Sequence, residues 1–246
     1  MIRGLIFSLQ FLTRIPINIQ VEMNSINISK STFFFPFIGM LIGAVSAAAY
    51  YIGLFIGKDI AALFAVLALI FITGGLHIDG LSDTCDGFFS SRKRERILEI
   101  MKDSHSGTFG VIAVVLDILV KYILFSRLQA NVIPILMLSC ANARLNAVML
   151  MCFTKCARPG GMGAMFSGNS NKKYFYLGAT LYVALTIMVF NYKFLVPLAA
   201  AFIVALLIAY KSYKTIGGLT GDVYGASIEI SEIVSILAFQ VVAAWI

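Results

Sequence analysis

Long apolar segments recur along the whole chain with short polar islands between them, which restricts it to a bundle of membrane-crossing helices. A span needs about 17–25 mostly apolar residues. Seven segments qualify: 33–56, 60–76, 109–125, 132–153, 174–190, 194–210 and 228–246. Lipid-exposed backbone must satisfy its own hydrogen bonds, which favours helices. The alternating ten-residue pattern of a membrane β-barrel is absent. Hydrophobic residues make up 60% of the chain and charged residues 13%. A soluble domain carries about 25% charged residues, so the polar surface here is too small to coat a globule. The expected fold is all-α: a polytopic integral membrane helical bundle of about seven transmembrane helices, with residues 1–246 as a single membrane-embedded domain. Residues 1–12 are interrupted by Arg3 and Gln10 and lack a small-x-small cleavage pattern. They read as an interfacial helix lying on the membrane.

The net charge of +7 does not point to nucleic acid, because the basic residues form no single stripe. They alternate with the spans. Arg3, Arg14, Lys30, Arg92, Lys93, Arg94, Arg96, Lys102, Lys155, Arg158, Lys172, Lys173, Lys211 and Lys214 fall on one side of a seven-span chain. Only Lys58, Arg127 and Lys193 fall on the other, while Lys121 and Arg144 lie within spans. The positive-inside rule then places the N-terminus in the cytoplasm. No internal repeat is visible, which disfavours a transporter.

Half of the twelve acids lie in one island, GGLHIDGLSDTCDGFFSSRKRERILEIMKDSHSGTFG, residues 74–110. Asp79, Asp83 and Asp86 are spaced i, i+4, i+7, which puts all three carboxylates on one face of a helix continuing from the second span. Three like charges on one face repel unless a cation lies between them. Hard oxygen ligands suit magnesium, which is held by a few carboxylates plus substrate phosphates. A solvated acidic face is the plainer alternative. His77 is a candidate general base or phosphate hydrogen-bond donor, or a histidine satisfied at a helix boundary. Arg92, Lys93, Arg94 and Arg96 read as a topology-setting surface cluster. Lys102 and Asp103 precede the Gly107-Thr108-Phe109-Gly110 turn, where a helix N-terminus would offer N–H groups to an anion.

Within the spans, Asp117 and Lys121 are four apart and can pair, and Arg144 at mid-span needs a partner or a function. Two more islands follow. ARPGGMG, with Arg158, is a basic glycine loop suited to close backbone approach to phosphate. TIGGLTGDVYGASIEISE places Asp222 and Glu229 seven apart, on one face leading into the last span. With Asp79, Asp83 and Asp86 they would complete a two-metal site, the plainer alternative being capping and interfacial acids.

GGLHIDGLSDTCDGFF with MKDSHSGTFG, then ARPGGMG, then GGLTGDVYGASIEISE closely resemble the adenosylcobinamide-GDP ribazoletransferase, or cobalamin-5′-phosphate synthase, family. The resemblance covers nearly the whole chain. The H-x-D-G-L-x-D-x-x-D-G string is its specific part. His105 stands where the family's D-S-R-x-G stretch has arginine. The resemblance implies a magnesium-dependent enzyme of the cytoplasmic (inner) membrane, with its N-terminus and active site cytoplasmic. Its implied substrates are adenosylcobinamide-GDP and α-ribazole or α-ribazole 5′-phosphate, with GMP leaving. Its partners would be these substrates and the lipid bilayer, with no nucleic acid, and homo-oligomerisation is left open.

Together these readings assign Asp83, Asp86, His77 and Lys102 to catalysis. They assign Asp103, His105, Arg144, Arg158, Asp222 and Glu229 to substrate binding, and Asp79, Asp83 and Asp86 to the metal. A looser likeness to CDP-alcohol phosphotransferases rests on Gly75-x3-Asp79-x3-Asp83 and makes a lipid head-group transferase the alternative. A reporter fused after Glu99 or Lys172 should report cytoplasm, and one after Lys193 the outside. An outside location for the 90–107 loop would overturn the orientation.

Overall fold

Apolar sequence with no water to bond its backbone folds into helix after helix, and a computed structural model describes residues 1–243 in this form. Residues 244–246, the end of the last expected span, lie outside the described residues. Helix α1 is Ile2–Leu12, and α2 is Ser25–Ser31, capped by the Asn24 side chain accepting from the Asn27 N–H. A 3-10 turn, Thr32–Phe34, joins α2 to α3, Phe35–Leu54, in one helical run of 30 residues. Pro36 lies in the first turn of α3, directly after the 3-10 turn that interrupts the regular α-helical ladder of this run. There follow α4 (Lys58–Thr73), α5 (Leu76–Phe89), α6 (Arg94–Ile100), α7 (Thr108–Ser126) and α8 (Val132–Phe153). The chain ends with α9 (Gly161–Asn169), α10 (Lys172–Val189), α11 (Leu195–Ile216) and α12 (Gly221–Ala243).

The helical, polytopic architecture agrees with the sequence, but two expectations change. Among the described residues, five helical runs are long and apolar enough to cross a membrane: 25–54, 108–126, 132–153, 192–216 and 221–242. Counting the bent α4–α5 pair as one span gives six, compared with the expected seven. The expected fifth span forms α10, but its lysines Lys172 and Lys173 and its tyrosines keep it out of that set. The second change is at the first island. The acidic helix does not continue the second span in a straight line; α5 is bent 89° from α4 at the Gly74-Gly75 break.

Helix α8 is the buried axis, covered along nearly its whole length. Helix α3 reaches it through Gly39 and Gly43. A Cβ added at Gly39 would lie 2.6 Å from the Cys140 carbonyl oxygen, and one at Gly43 would collide with the Leu136 carbonyl. Small residues four apart permit this backbone approach where no hydrophobic effect drives helices together. Ser46 Oγ donates to the Ala65 carbonyl at 2.9 Å, fastening α3 to α4. Asn142 donates to Ser235 at 2.9 Å and accepts from Tyr182 at 2.6 Å, tying α8 to α12 and α10. Gly43→Leu should overpack the α3–α8 contact and cost about 1–3 kcal/mol. The check is a lower thermal midpoint in detergent, and an unchanged midpoint would contradict this packing.

Candidate active site

The bend that creates the site is made by glycine. Gly74 and Gly75 both adopt left-handed backbone, with φ of 64° and 71°, which ends α4 and starts α5 in a new direction. Helix α5 then lies against α12. A Cβ on Gly80 would stand 2.8 Å from the Asp222 carbonyl oxygen, and one on Gly225 3.2 Å from that of His77. The first and last islands therefore touch directly.

Between them is a cavity of about 370 Å³. Its polar side carries His77 and Asp79 from α5, Arg158 and Gly160–Gly163 from the glycine loop, and Thr220 and Asp222 from the start of α12. Its apolar side is Phe11 of α1, Phe35 of α3, Phe166 of α9 and Tyr224 of α12. The phenylalanines support one another: Phe11 and Phe166 centroids are 4.7 Å apart, and Phe35 meets Phe166 edge-on at 5.6 Å. Arg158 donates to Asp222 at 3.2 Å and to the Leu98 carbonyl at 3.1 Å. Its loop is anchored to the last island by Ala157 N–H donating to Leu219 at 2.8 Å and Leu219 N–H to Lys155 at 2.9 Å. Arg94, read from sequence as part of a surface cluster, braces both by donating to the Ile216 and Ala157 carbonyls at 2.7 and 3.0 Å.

Asp83 is half-buried on α5, one turn from Asp79 of the cavity. Its carboxyl feels those of Asp79 and Asp86 on the same helix and of Asp222 on α12, with the Arg158 guanidinium as the opposing charge. The carboxylates thus act on one another across two helices, the electrostatic situation in which a cation is favoured. Among the described residues no three His, Cys, Asp or Glu side chains close on a single ion position. Magnesium binding is compatible with one or two carboxylates and the oxygens of a phosphate ligand, so the donor chemistry of Asp79, Asp83 and Asp222 fits it.

Asp86 has a different position from its neighbours. It is buried and accepts from Gly107 N–H at 2.7 Å and Gly110 N–H at 2.8 Å. The α7 N-terminus, expected to receive a ligand's anion, receives this side chain instead. Lys102, Asp103 and His105 lie in the exposed loop that Asp86 ties down, and none of them lines the cavity. Asp103 accepts from its neighbour His105 at 2.7 Å, which holds its carboxyl below the usual range.

Arg144 and Glu229 are also displaced from the substrate-binding role expected of them. Arg144 is fully buried, contacts Glu232, and has Nη2 3.3 Å from His77 Nδ1. Glu229 contacts Lys121, and Lys121 lies 3.0 Å from Glu232 and 3.2 Å from Asp117. Asp222 and Glu229 share a helix but serve different sites, one at the cavity and one in a buried ion cluster behind it. The Asp117–Lys121 pair appears as expected. Glu232 and the aromatic wall were missed; the i, i+3 spacing of Glu229 and Glu232 was the available signal for the former.

Fold and cavity together define a polytopic helical membrane protein with an acidic, arginine-bearing and glycine-bearing cavity at one end of its bundle, suited to a phosphate-bearing ligand. The chain belongs to the cobalamin-5-phosphate synthase family, which it matches over residues 4–240. It is similar to proteins named adenosylcobinamide-GDP ribazoletransferase. The Clostridium novyi protein is 39% identical over 239 residues, covering 96% of each chain. The Treponema denticola protein is 36% identical over 250 residues, covering 94% of this chain and 95% of its own. The Citrobacter koseri protein is 39% identical over 241 residues, covering 94% and 96%. No solved structure matches the chain.

Asp86→Ala should leave two N–H groups without an acceptor, each worth about 1–3 kcal/mol, and free the 102–107 loop. Trypsin should then cut after Lys102 several-fold faster than in the parent, and an unchanged rate would contradict the tether.

Proposed function

We propose that this protein joins α-ribazole, or α-ribazole 5′-phosphate, to adenosylcobinamide-GDP with release of GMP, forming adenosylcobalamin or its 5′-phosphate late in cobalamin biosynthesis. Family membership supports the reaction. The observation that carries it to a place is the convergence of Asp79, Asp222, Arg158 and Gly160–Gly163 in one cavity with an aromatic wall. In the reaction the ribose hydroxyl oxygen bonds to the phosphorus bearing the cobinamide. The bond from that phosphorus to GMP breaks, and the hydroxyl proton is released.

Such a transfer needs alignment and charge neutralisation more than covalent catalysis. Arg158, already held by Leu98 and Asp222, is placed to meet negative charge on the departing phosphate. The glycine loop lets phosphate approach the backbone closely. The aromatic wall accepts a flat base and excludes water from one side. One or two of the Asp79, Asp83 and Asp222 carboxylates, together with phosphate oxygens of the ligand, would hold magnesium, which when bound neutralises pyrophosphate charge. Asp86, with both oxygens on backbone N–H groups, positions the loop before α7.

The same reading places the protein in the cytoplasmic (inner) membrane with the cavity facing the cytoplasm, supported by the lysine and arginine asymmetry. Purified protein with adenosylcobinamide-GDP and α-ribazole should release GMP and lose that activity on magnesium chelation. Asp83→Ala should abolish turnover while remaining membrane-inserted, and Lys93→Ala should be mildly affected. Near-normal activity in Asp83→Ala would sink the metal reading. Consumption of a CDP-alcohol without use of adenosylcobinamide-GDP would favour a lipid head-group transferase.

A further inference from the structure

We infer that His77 serves the cavity as a neutral hydrogen-bond donor through Nε2–H, positioned by the buried ion cluster, and is not the base that takes the hydroxyl proton. The inference rests on the phosphate-transfer reading of the cavity. His77 lines that cavity while its Nδ1 points into the protein. The charged groups behind it come from three helices: Arg144 of α8, Glu229 and Glu232 of α12, and Lys121 and Asp117 of α7. The one in hydrogen-bond reach is Arg144, with Nη2 at 3.3 Å. A guanidinium carries donors and no acceptor. The nitrogen facing it must therefore present a lone pair, and in a neutral ring the hydrogen is then on Nε2.

Alternatives within the cluster are closed. Glu229 is 4.0 Å from Nδ1, beyond a hydrogen bond, and is engaged by Lys121. Arg144 is fixed by Glu232 and by donation to the Cys140 carbonyl at 3.3 Å. Nε2 has no protein partner among the described residues, which leaves its N–H for a phosphoryl oxygen of the ligand. The arginine behind the ring draws electron density from it and strengthens that donor. Arg144 and its carboxylates are thus positioning residues, which accounts for two buried cations beside a phosphate site.

The chain has only two histidines, His77 and His105, so nitrogen-15 imidazole spectra of the full protein in detergent can be assigned with a His105→Gln variant. The expected spectrum has His77 with bare Nδ1 and protonated Nε2; an Nδ1–H tautomer or a doubly protonated ring overturns the proposal. Arg144→Gln replaces a donor-only group with one that can accept, and a mixture of tautomers is expected. An unchanged single tautomer there removes Arg144 from the account. In turnover, His77→Gln retains an N–H near the Nε2 position and should stay within about tenfold of the parent, while His77→Ala falls by about 100-fold, the scale of a lost donor to developing charge. Equal large losses in both variants would indicate a base and overturn the donor role. Absence of GMP release from the parent protein would instead defeat the transfer reading, and the spectra would still decide the tautomer.

Discussion

Lys121 and Arg144 are buried cations that must find carboxylates, and the architecture of the site depends on how they do so. Their partners Glu229 and Glu232 both come from α12, so the cluster fastens α7, α8 and α12 at one height and one rotation. A charge left alone in such surroundings is expensive; removing one partner of a buried pair costs about 3–5 kcal/mol. With α12 so fixed, Asp222 at its first turn can only point towards α5 and the glycine loop. His77 is the side chain through which the cluster meets the cavity. The ion pairs therefore set the geometry of the site while remaining outside it.

The acids divide by what surrounds them. Asp79, Asp83 and Asp222 share one electrostatic environment at the cavity, with Arg158 as the single cation among them. Asp86 neutralises a helix N-terminus, and Glu229 and Glu232 neutralise buried cations. Acids of a single appearance thus occupy three settings: the wall of a cavity, a loop tether and a buried ion cluster that registers the helices. The glycines make this division possible, because Gly74 and Gly75 turn the first acids away from the line of α4 and Gly80 lets them approach Asp222.

Much of this was legible in sequence, for physical reasons that also explain what was not. Apolar length gave the helices, and i, i+4, i+7 spacing put Asp79, Asp83 and Asp86 on one helix, because both signals are local. Gly74-Gly75 marks a stop, but an apolar run through it reads equally well as a continuous helix, so the 89° turn was missed. Arg144 was recognisable as needing a partner. Its partner was not, because Glu232 is 88 residues away and only packing brings them together. The seven-residue spacing of Asp222 and Glu229 places them on similar faces but two turns apart, deep enough to reach different surroundings. Phe11, Phe35 and Phe166 were invisible as a wall, since a phenylalanine carries no contrast in a chain that is 60% hydrophobic.

The central claim is that the acids of α5 and α12 act as one unit across the Gly80–Asp222 contact. The most direct test compares magnesium-dependent GMP release by Asp83→Asn, Asp222→Asn and the double variant. Groups acting as one unit are strongly non-additive, so the double variant should be little worse than the poorer single one. Losses that multiply would show that Asp222 serves only as a local partner of Arg158 and Thr220, and that the two islands do not form one site.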